Sequence, residues 1–428
     1  MVTTAFINIY KQRVGAVAWD EKRGIANFEY DSKFKLEQLP IAPIKMPAKN
    51  RIYNFPEFRD SETFKGLPGL LADALPDRYG KDLINAWLAR QGRPDDSLNP
   101  VELLCFIGKR GMGALEFEPV LAKETPSYEI ELTDLIETTK ALLTNKEDLN
   151  ITTKNKMEDV MMDVLKMGTS AGGARPKAII AYNEITGQIK SGQTLADEGF
   201  EHWLIKFDEV SDVQFGESKG YGRVEMAYYK MATDFGIEMM ESRLIEENNR
   251  VHFMTKRFDR VKGNQKIHTQ TLCALQHYDF ANITSYSYEQ VFQTMRQLRL
   301  TYTEAEQMYK RMVFNVMARN CDDHTKNFSF LMDQSGKWKL APAYDICFAY
   351  RPDSYWVSQH NLSINGKRKD FLRKDLLTIA EQNSIRNPEL VLDKCIEIVK
   401  NWRKYAEEYQ VDENKIKLID QILLKELK

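Results

Sequence analysis

The sequence predicts an α+β fold in three parts: a β-rich first module, a strand–helix–strand lobe, and a mainly helical lobe interrupted by one hairpin. Three observations carry this prediction. Apolar and polar residues alternate through AFINIY, VGAVAW and GIANFEY near the start, the period of short half-buried strands. A strand-like run, HWLIKFD, holds Lys206 at its centre and is followed by an amphipathic helix. The stretch NCDDHTKNFSFLMDQSGKWKLAPAYD, residues 320–345, distributes Asp322, Asn327 and Asp345 around a hairpin.

Bulk properties narrow the field. A chain of 428 residues holds two or three domains, and 43% hydrophobic with 29% charged residues describes an ordinary soluble globular protein. The formal net charge of -2 supplies no global attraction for nucleic acid. No apolar run reaches the roughly 18–20 residues of a membrane span, and the N-terminus lacks a signal-peptide pattern. Five cysteines (Cys105, Cys273, Cys321, Cys347 and Cys395), widely spaced and without a CxxC, argue against a disulfide framework or a zinc site. They fit a reducing cytoplasm, where the protein is expected to reside.

In chain order, the alternating strands are followed by Pro40, Pro43, Pro47 and Pro56, which favour an extended connection. Helical spacing begins at Leu70, Leu71, Ala74 and Leu75 and resumes at Leu83, Ile84, Trp87 and Leu88, with Gly92 as a stop. IGKRGMGALEF matches neither phosphate-binding fingerprint and reads as a tight turn feeding a strand. Residues 126–165 read as charged helix or linker. MGTSAGGARPKAIIAY then places Gly168, Gly172 and Gly173 around Thr169 and Ser170, immediately before a strand. Such a backbone can wrap phosphates or form a plain surface turn.

Strand interiors disfavour an unpaired charge, which makes Lys206 conspicuous. The helix YGRVEMAYYKMATDFG supplies Glu225, with Val224, Ala227, Tyr228, Met231 and Phe235 on its apolar face and Gly236 at its end. SRLIEEN and VHFMTKRFDR are two further strands. Amphipathic helices follow over 287–300 and 304–320, then the hairpin FSFLM/KWKLA around DQSG. Asn387–Pro388 opens another helix by a cap-then-proline order, and a last helix is expected over 413–427. The expected division is 1–125, 126–258 and 259–428. A glycine loop, a strand lysine with a helix glutamate, and an Asp–Asn–Asp set occur in the order required by a two-lobed protein-kinase-like fold.

These residues resemble the HipA-like serine/threonine kinases, the toxins of bacterial toxin–antitoxin pairs. GLPGLLADALPD at 66–77 is similar to the family's N-terminal segment, GTSAGGARPKA to its glycine-rich loop, KRFDR at 256–260 to its interlobe segment, and DDHTKNFSF with LAPAYDI to its catalytic and metal motifs. The resemblance implies ATP and Mg2+ as cofactors. It implies Asp322 as general base, Asn327 and Asp345 as metal ligands, and Lys206 with Glu225 gripping phosphate. It places Ser170, Gly172, Gly173, Phe258, His324 and Lys326 at the nucleotide, with Ser170 the autophosphorylated serine and Thr169 its neighbour. Asp323 stands where some members have glycine, so the base could fall on either aspartate. The five-residue step to Asn327 favours Asp322. Lys256 stands where an acidic residue is common. The expected partners are a protein substrate, such as an aminoacyl-tRNA synthetase, and a HipB-like DNA-binding antitoxin, with DNA reached only through it. A small-molecule or lipid kinase and a nucleotide-binding co-repressor subunit are the alternatives.

Overall fold

The computed structural model describes residues 2–37, 39–121, 129, 131–143, 165, 167–168, 175–191, 195–208, 219–261 and 264–428. Strands β1 (Thr4–Ile9), β2 (Gln12–Asp20) and β3 (Ile25–Tyr30) form the antiparallel meander that the alternation predicts, burying Ala5, Ile7, Ile9, Val17 and Phe28. The short β4 (Ile52–Tyr53) and β5 (Leu115–Glu118) extend it to the order β4-β3-β2-β1-β5. Between β4 and β5 lie the helices Gly69–Ala72, Arg78–Arg90 and Pro100–Ile107. Asp77 caps the second, accepting from the Gly80 backbone N–H at 2.7 Å. Asn99 and Glu102 form a capping box on the third, with Pro100 in its first turn.

A second antiparallel sheet, ordered β7-β6-β8-β10-β9, joins β6 (Lys177–Tyr182), β7 (Ile189–Ser191), β8 (Glu201–Lys206), β9 (Ser242–Glu247) and β10 (Arg250–Lys256). Helix Tyr221–Phe235 links β8 to β9 and ends at Gly236, whose φ of 95° supplies the left-handed stop. Its apolar face enters a core that runs from the first sheet to the C-terminal helices. A separate core joins Tyr79, Leu83 and Leu88 of the first module to Ile180, Trp203, Ile205 and Met254 of the second sheet. The N-terminal module is therefore packed against the lobe that carries Lys206.

The turn at Gly108–Gly113 feeds β5, as expected, and also docks onto the KRFDR segment. Asp259 receives both Arg257 (Nε at 2.8 Å) and Arg260 (Nη1 at 2.7 Å), together with the Gly113 N–H at 2.6 Å. The same arginines donate to the Gly111 and Gly113 carbonyls. No side chain of this ionic trio is more than 2% exposed. Lys256, by contrast, reaches a half-exposed surface cluster of Glu184, Glu201 and Glu241.

The hairpin forms as Ser329–Met332 against Trp338–Leu340, and His268–Thr271 adds a third strand that the sequence reading lacked. Helices Tyr288–Gln297, Tyr302–Met317, Arg373–Gln382, Pro388–Lys400, Trp402–Glu408 and Glu413–Ile422 build the rest of the lobe. Two local expectations need correction. Asn387 precedes the helix at Pro388 in a left-handed conformation and makes no side-chain cap. The last helix stops at Ile422, because the chain straightens and the Leu424 N–H donates to the Met317 carbonyl. Among the described residues, no helix is long and apolar enough to cross a membrane.

Candidate active site

Lys206 ends β8 with its ammonium 2.5 Å from Glu225 Oε1 and 2.5 Å from Asp345 Oδ1. Strand, helix and post-hairpin segment, separated widely in sequence, thus converge on one nitrogen. Burial works against the charge on Lys206, but the carboxylates of Asp345 and Glu225 outweigh it and hold the pKa above the usual lysine value. The same contact holds the Asp345 carboxyl below its usual range, against the opposing effect of burial. Asp345 itself has a φ of 52°, so the backbone turns sharply as it delivers this carboxylate.

A single 3₁₀ turn, Thr325–Asn327, follows Asp322 and ends on Asn327. The Asn327 amide donates to the Asp322 carbonyl at 2.6 Å, which fixes the loop's curvature and leaves the amide oxygen outside that bond. His324 Nδ1 accepts from the Lys326 N–H, and its Nε2 lies 3.7 Å from Asp322 Oδ1. The Asp322 side chain opens on the cleft with 45% of its surface exposed. Dense protein around it and the neighbouring Asp345 and Asp323 carboxylates raise its pKa, against the pull of His324. A carboxylate so placed can accept a proton from a hydroxyl in the cleft.

Asp323 has a different environment. Its Oδ2 receives the Tyr288 hydroxyl and His360 Nδ1, each at 2.9 Å, and its Oδ1 receives the Asn361 N–H at 2.7 Å. Both Asp323 and His360 side chains are 0% exposed. Asp323 therefore anchors the loop, and Asp322 alone of the two faces the cleft. Tyr344 ties the loop to the Asp345 segment by donating to the Lys326 carbonyl at 2.6 Å.

The remaining candidates are more dispersed. The Lys326 ammonium sits over the Phe280 ring, 4.7 Å from its centroid, and Phe258 packs against Tyr344 at 5.5 Å. Thr169, Ser170, Gly172 and Gly173 lie outside the described residues. Sequence reasoning passed over Lys177, the first residue of β6, which stands in register opposite Lys206 and forms a buried ion pair with Asp77. The signal was available, since Lys177 opens the apolar run KAIIAY just as Lys206 interrupts HWLIKFD.

Hard divalent cations take oxygen ligands, and the Asn327 amide oxygen and the Asp345 carboxylate are such donors beside one another's loops. Among the described residues no group of three or more His, Cys, Asp or Glu side chains forms a metal cluster. A pair of this kind, completed by phosphate oxygens and water, needs no such cluster.

Residues 169–415 match the family model for the HipA-like C-terminal domain, and residues 5–118 match that for the HipA N-terminal domain. A protein of Haemophilus influenzae named a putative kinase is 26% identical over an alignment 135 residues long, which covers 28% of this chain and 39% of that relative, well under half its length. The HipA structure from a Shewanella oneidensis MR-1 toxin–antitoxin complex of HipA, HipB and operator DNA superposes with a TM-score of 0.68 at 16% identity, covering 98% of this chain and 96% of that one. A Helicobacter pylori proinflammatory kinase, CtkA, gives a TM-score of 0.35 at 16% identity, covering 59% of this chain and 92% of that one. The fold is accordingly the two-lobed α+β architecture with an added β-rich N-terminal part. With one family model spanning more than half of its length and a second matching its N-terminal module, the chain belongs to the HipA-like family.

Proposed function

We propose that this protein is an ATP- and Mg2+-dependent serine/threonine-protein kinase acting as the toxin of a toxin–antitoxin pair. The observation that carries this reading is the contact of Lys206 with both Glu225 and Asp345, beside a loop presenting Asp322 and Asn327. A lysine so held offers an ammonium to phosphate oxygens, while Asp322 accepts the acceptor hydroxyl's proton. Asn327 and Asp345 would hold Mg2+, which when bound offsets charge on the transferring phosphoryl group. Positioning of nucleotide and hydroxyl by these side chains carries the rate, since phosphoryl transfer asks little covalent work of the protein.

The finer parts of the proposal are Ser170 as the site of autophosphorylation, a cellular protein as substrate, and a HipB-like antitoxin as partner. Ser170 follows from the sequence resemblance, and a phosphate there would add roughly -1.5 to -2 charges to a loop meant to hold other phosphates. The partner is suggested by the Shewanella complex, which contains HipB and operator DNA. The division at 1–125, 126–258 and 259–428 is part of the same proposal. Incubation with labelled ATP and a cell lysate tests the reading. Label should enter protein serine or threonine with the natural chain and not with Asp322→Ala; equal labelling by the two would sink it.

A further inference from the structure

The segment Gly66–Asp77 touches both lobes. Gly69 approaches the catalytic lobe so closely that a Cβ would lie 2.3 Å from the Ala274 carbonyl oxygen. Asp73 accepts from the Thr271 N–H at 2.7 Å and the Thr271 hydroxyl at 2.8 Å. Four residues on, Asp77 divides its carboxylate between two tasks. Its Oδ1 caps helix Arg78–Arg90, and its Oδ2 lies 2.8 Å from the ammonium of Lys177. The Lys177 side chain is 2% exposed and that of Asp77 10% exposed.

Lys177 and Lys206 are direct partners across the β6–β8 ladder, so two ammonium-bearing side chains share one face of the sheet. Like charges there destabilise one another unless each is answered. Lys206 is answered from within the cleft by Glu225 and Asp345. Lys177 is answered from another module, by Asp77. Burial pulls the Lys177 pKa down, and the Asp77 carboxylate is the largest influence restoring it. The helix that Asp77 caps also packs closely on Gly168: a Cβ there would meet Leu83 at 2.5 Å and Tyr79 at 3.0 Å.

We propose that Asp77 is a positioning residue of the phosphate site, through which the N-terminal module completes the nucleotide-binding lobe. It keeps Lys177 charged behind Lys206 in the β6–β8 ladder, so that the phosphate site carries the field of two ammonium groups, one at the cleft and one buried beneath it. Docking of the N-terminal module and nucleotide affinity are then coupled, because undocking withdraws the carboxylate that supports Lys177. The inference rests on the nucleotide reading of the Lys206 cleft.

Direct ATP binding to the full chain, with steady-state kinetics, tests it. Asp77→Asn retains an oxygen that can cap Gly80 and removes the charge. It should bind ATP at least about tenfold more weakly, about 1.4 kcal/mol, with kcat at saturating ATP little changed. Lys177→Met should weaken binding at least as much, and Asp77→Asn added to it should cost nothing further, since Asp77 acts through Lys177. A folded Asp77→Asn protein with natural ATP affinity overturns the proposal, as does full additivity of the two substitutions. Should Asp77→Asn alone fail to fold, the double variant decides, because it removes both charges of the Asp77–Lys177 pair. That variant should melt near the natural temperature yet bind ATP at least about tenfold more weakly, and natural affinity in it overturns the proposal. Absence of ATP binding by the natural chain would instead remove the nucleotide reading itself.

Discussion

Asp323 and His360 meet at 2.9 Å, 37 residues apart in the chain, and solvent reaches neither side chain. Adjacent Asp322 looks into the cleft. On the proposed function, two neighbouring aspartates divide stability from chemistry, and substitution should separate the two. Asp323→Asn leaves His360 buried against a neutral partner and is expected to cost about 3–5 kcal/mol of folding stability. Asp322→Asn should leave the melting temperature nearly unchanged while lowering phosphoryl transfer at least about a hundredfold, the lower range for losing a positioned base. Thermal melts and single-turnover transfer, measured on both proteins, read the division. The reverse pattern would move the base to Asp323.

The same pair sets a pH window. Burial alone would lower the His360 pKa, but the Asp323 carboxylate overrides it and lifts the value from 6.5 to about 10. A histidine whose folded pKa is raised contributes stability that is complete below its unfolded value and disappears as pH rises through its folded one. Stability should therefore fall between pH 6.5 and about 10, with a slope of up to about 1.4 kcal/mol per pH unit from this proton. Denaturant titrations across that range should show the slope in the natural protein and a flatter profile in His360→Gln. Equal slopes in the two would remove His360 as the source.

How much of this could be read without the structure depends on the range of the interaction. Lys206 was legible because a charge in an apolar run is locally anomalous, although β8 ends on it and does not enclose it, and Glu225 because the helix after that strand has a clear 3.6-residue period. The spacing of Asp322, Asn327 and Asp345 was likewise a local pattern. The environment of Asp323 was not, since Tyr288 and His360 lie 35 and 37 residues away in opposite directions along the chain. Lys177 escaped notice because a lysine at the start of a strand normally reads as solvated, whereas here it is buried and paired with Asp77 of the first module. The final helix ran long in the sequence reading because nothing in LLKEL foretells the Leu424–Met317 bond.

Glu225 offers a test of the nucleotide grip. Its side chain is 6% exposed, and it holds Lys206 from the helix side while Asp345 holds it from the segment after the hairpin. Glu225→Gln preserves shape and removes charge, so Lys206 should shift its partnership toward Asp345. ATP would then have to compete with the whole of that contact. The expected outcome is a KM for ATP raised about tenfold, which corresponds to about 1.4 kcal/mol, with a smaller loss in kcat. An unchanged ATP dependence would mean that the Glu225 contact does not orient Lys206 for phosphate.

Asp259 is the last test, and it concerns the joint between the first module and the lobes. Burial disfavours its charge, yet the Arg257 and Arg260 guanidiniums hold its carboxyl well below the ordinary 3.8. A carboxylate with a depressed folded pKa contributes stability that is complete above the unfolded value and is lost as pH falls toward the folded one. Acid should therefore weaken the natural protein below about pH 4 partly through this group. Asp259→Asn removes that contribution at every pH and leaves two buried guanidiniums facing the Gly111 and Gly113 carbonyls without the carboxylate they share. A loss of about 3–5 kcal/mol is expected at neutral pH, together with a shallower acid limb in denaturation. Because Asp259 also fixes the Gly113 N–H, limited proteolysis should cut the variant first near the 108–113 turn. A variant as stable as the natural chain, with an unchanged acid limb, would show that this ionic trio does not hold the module in place.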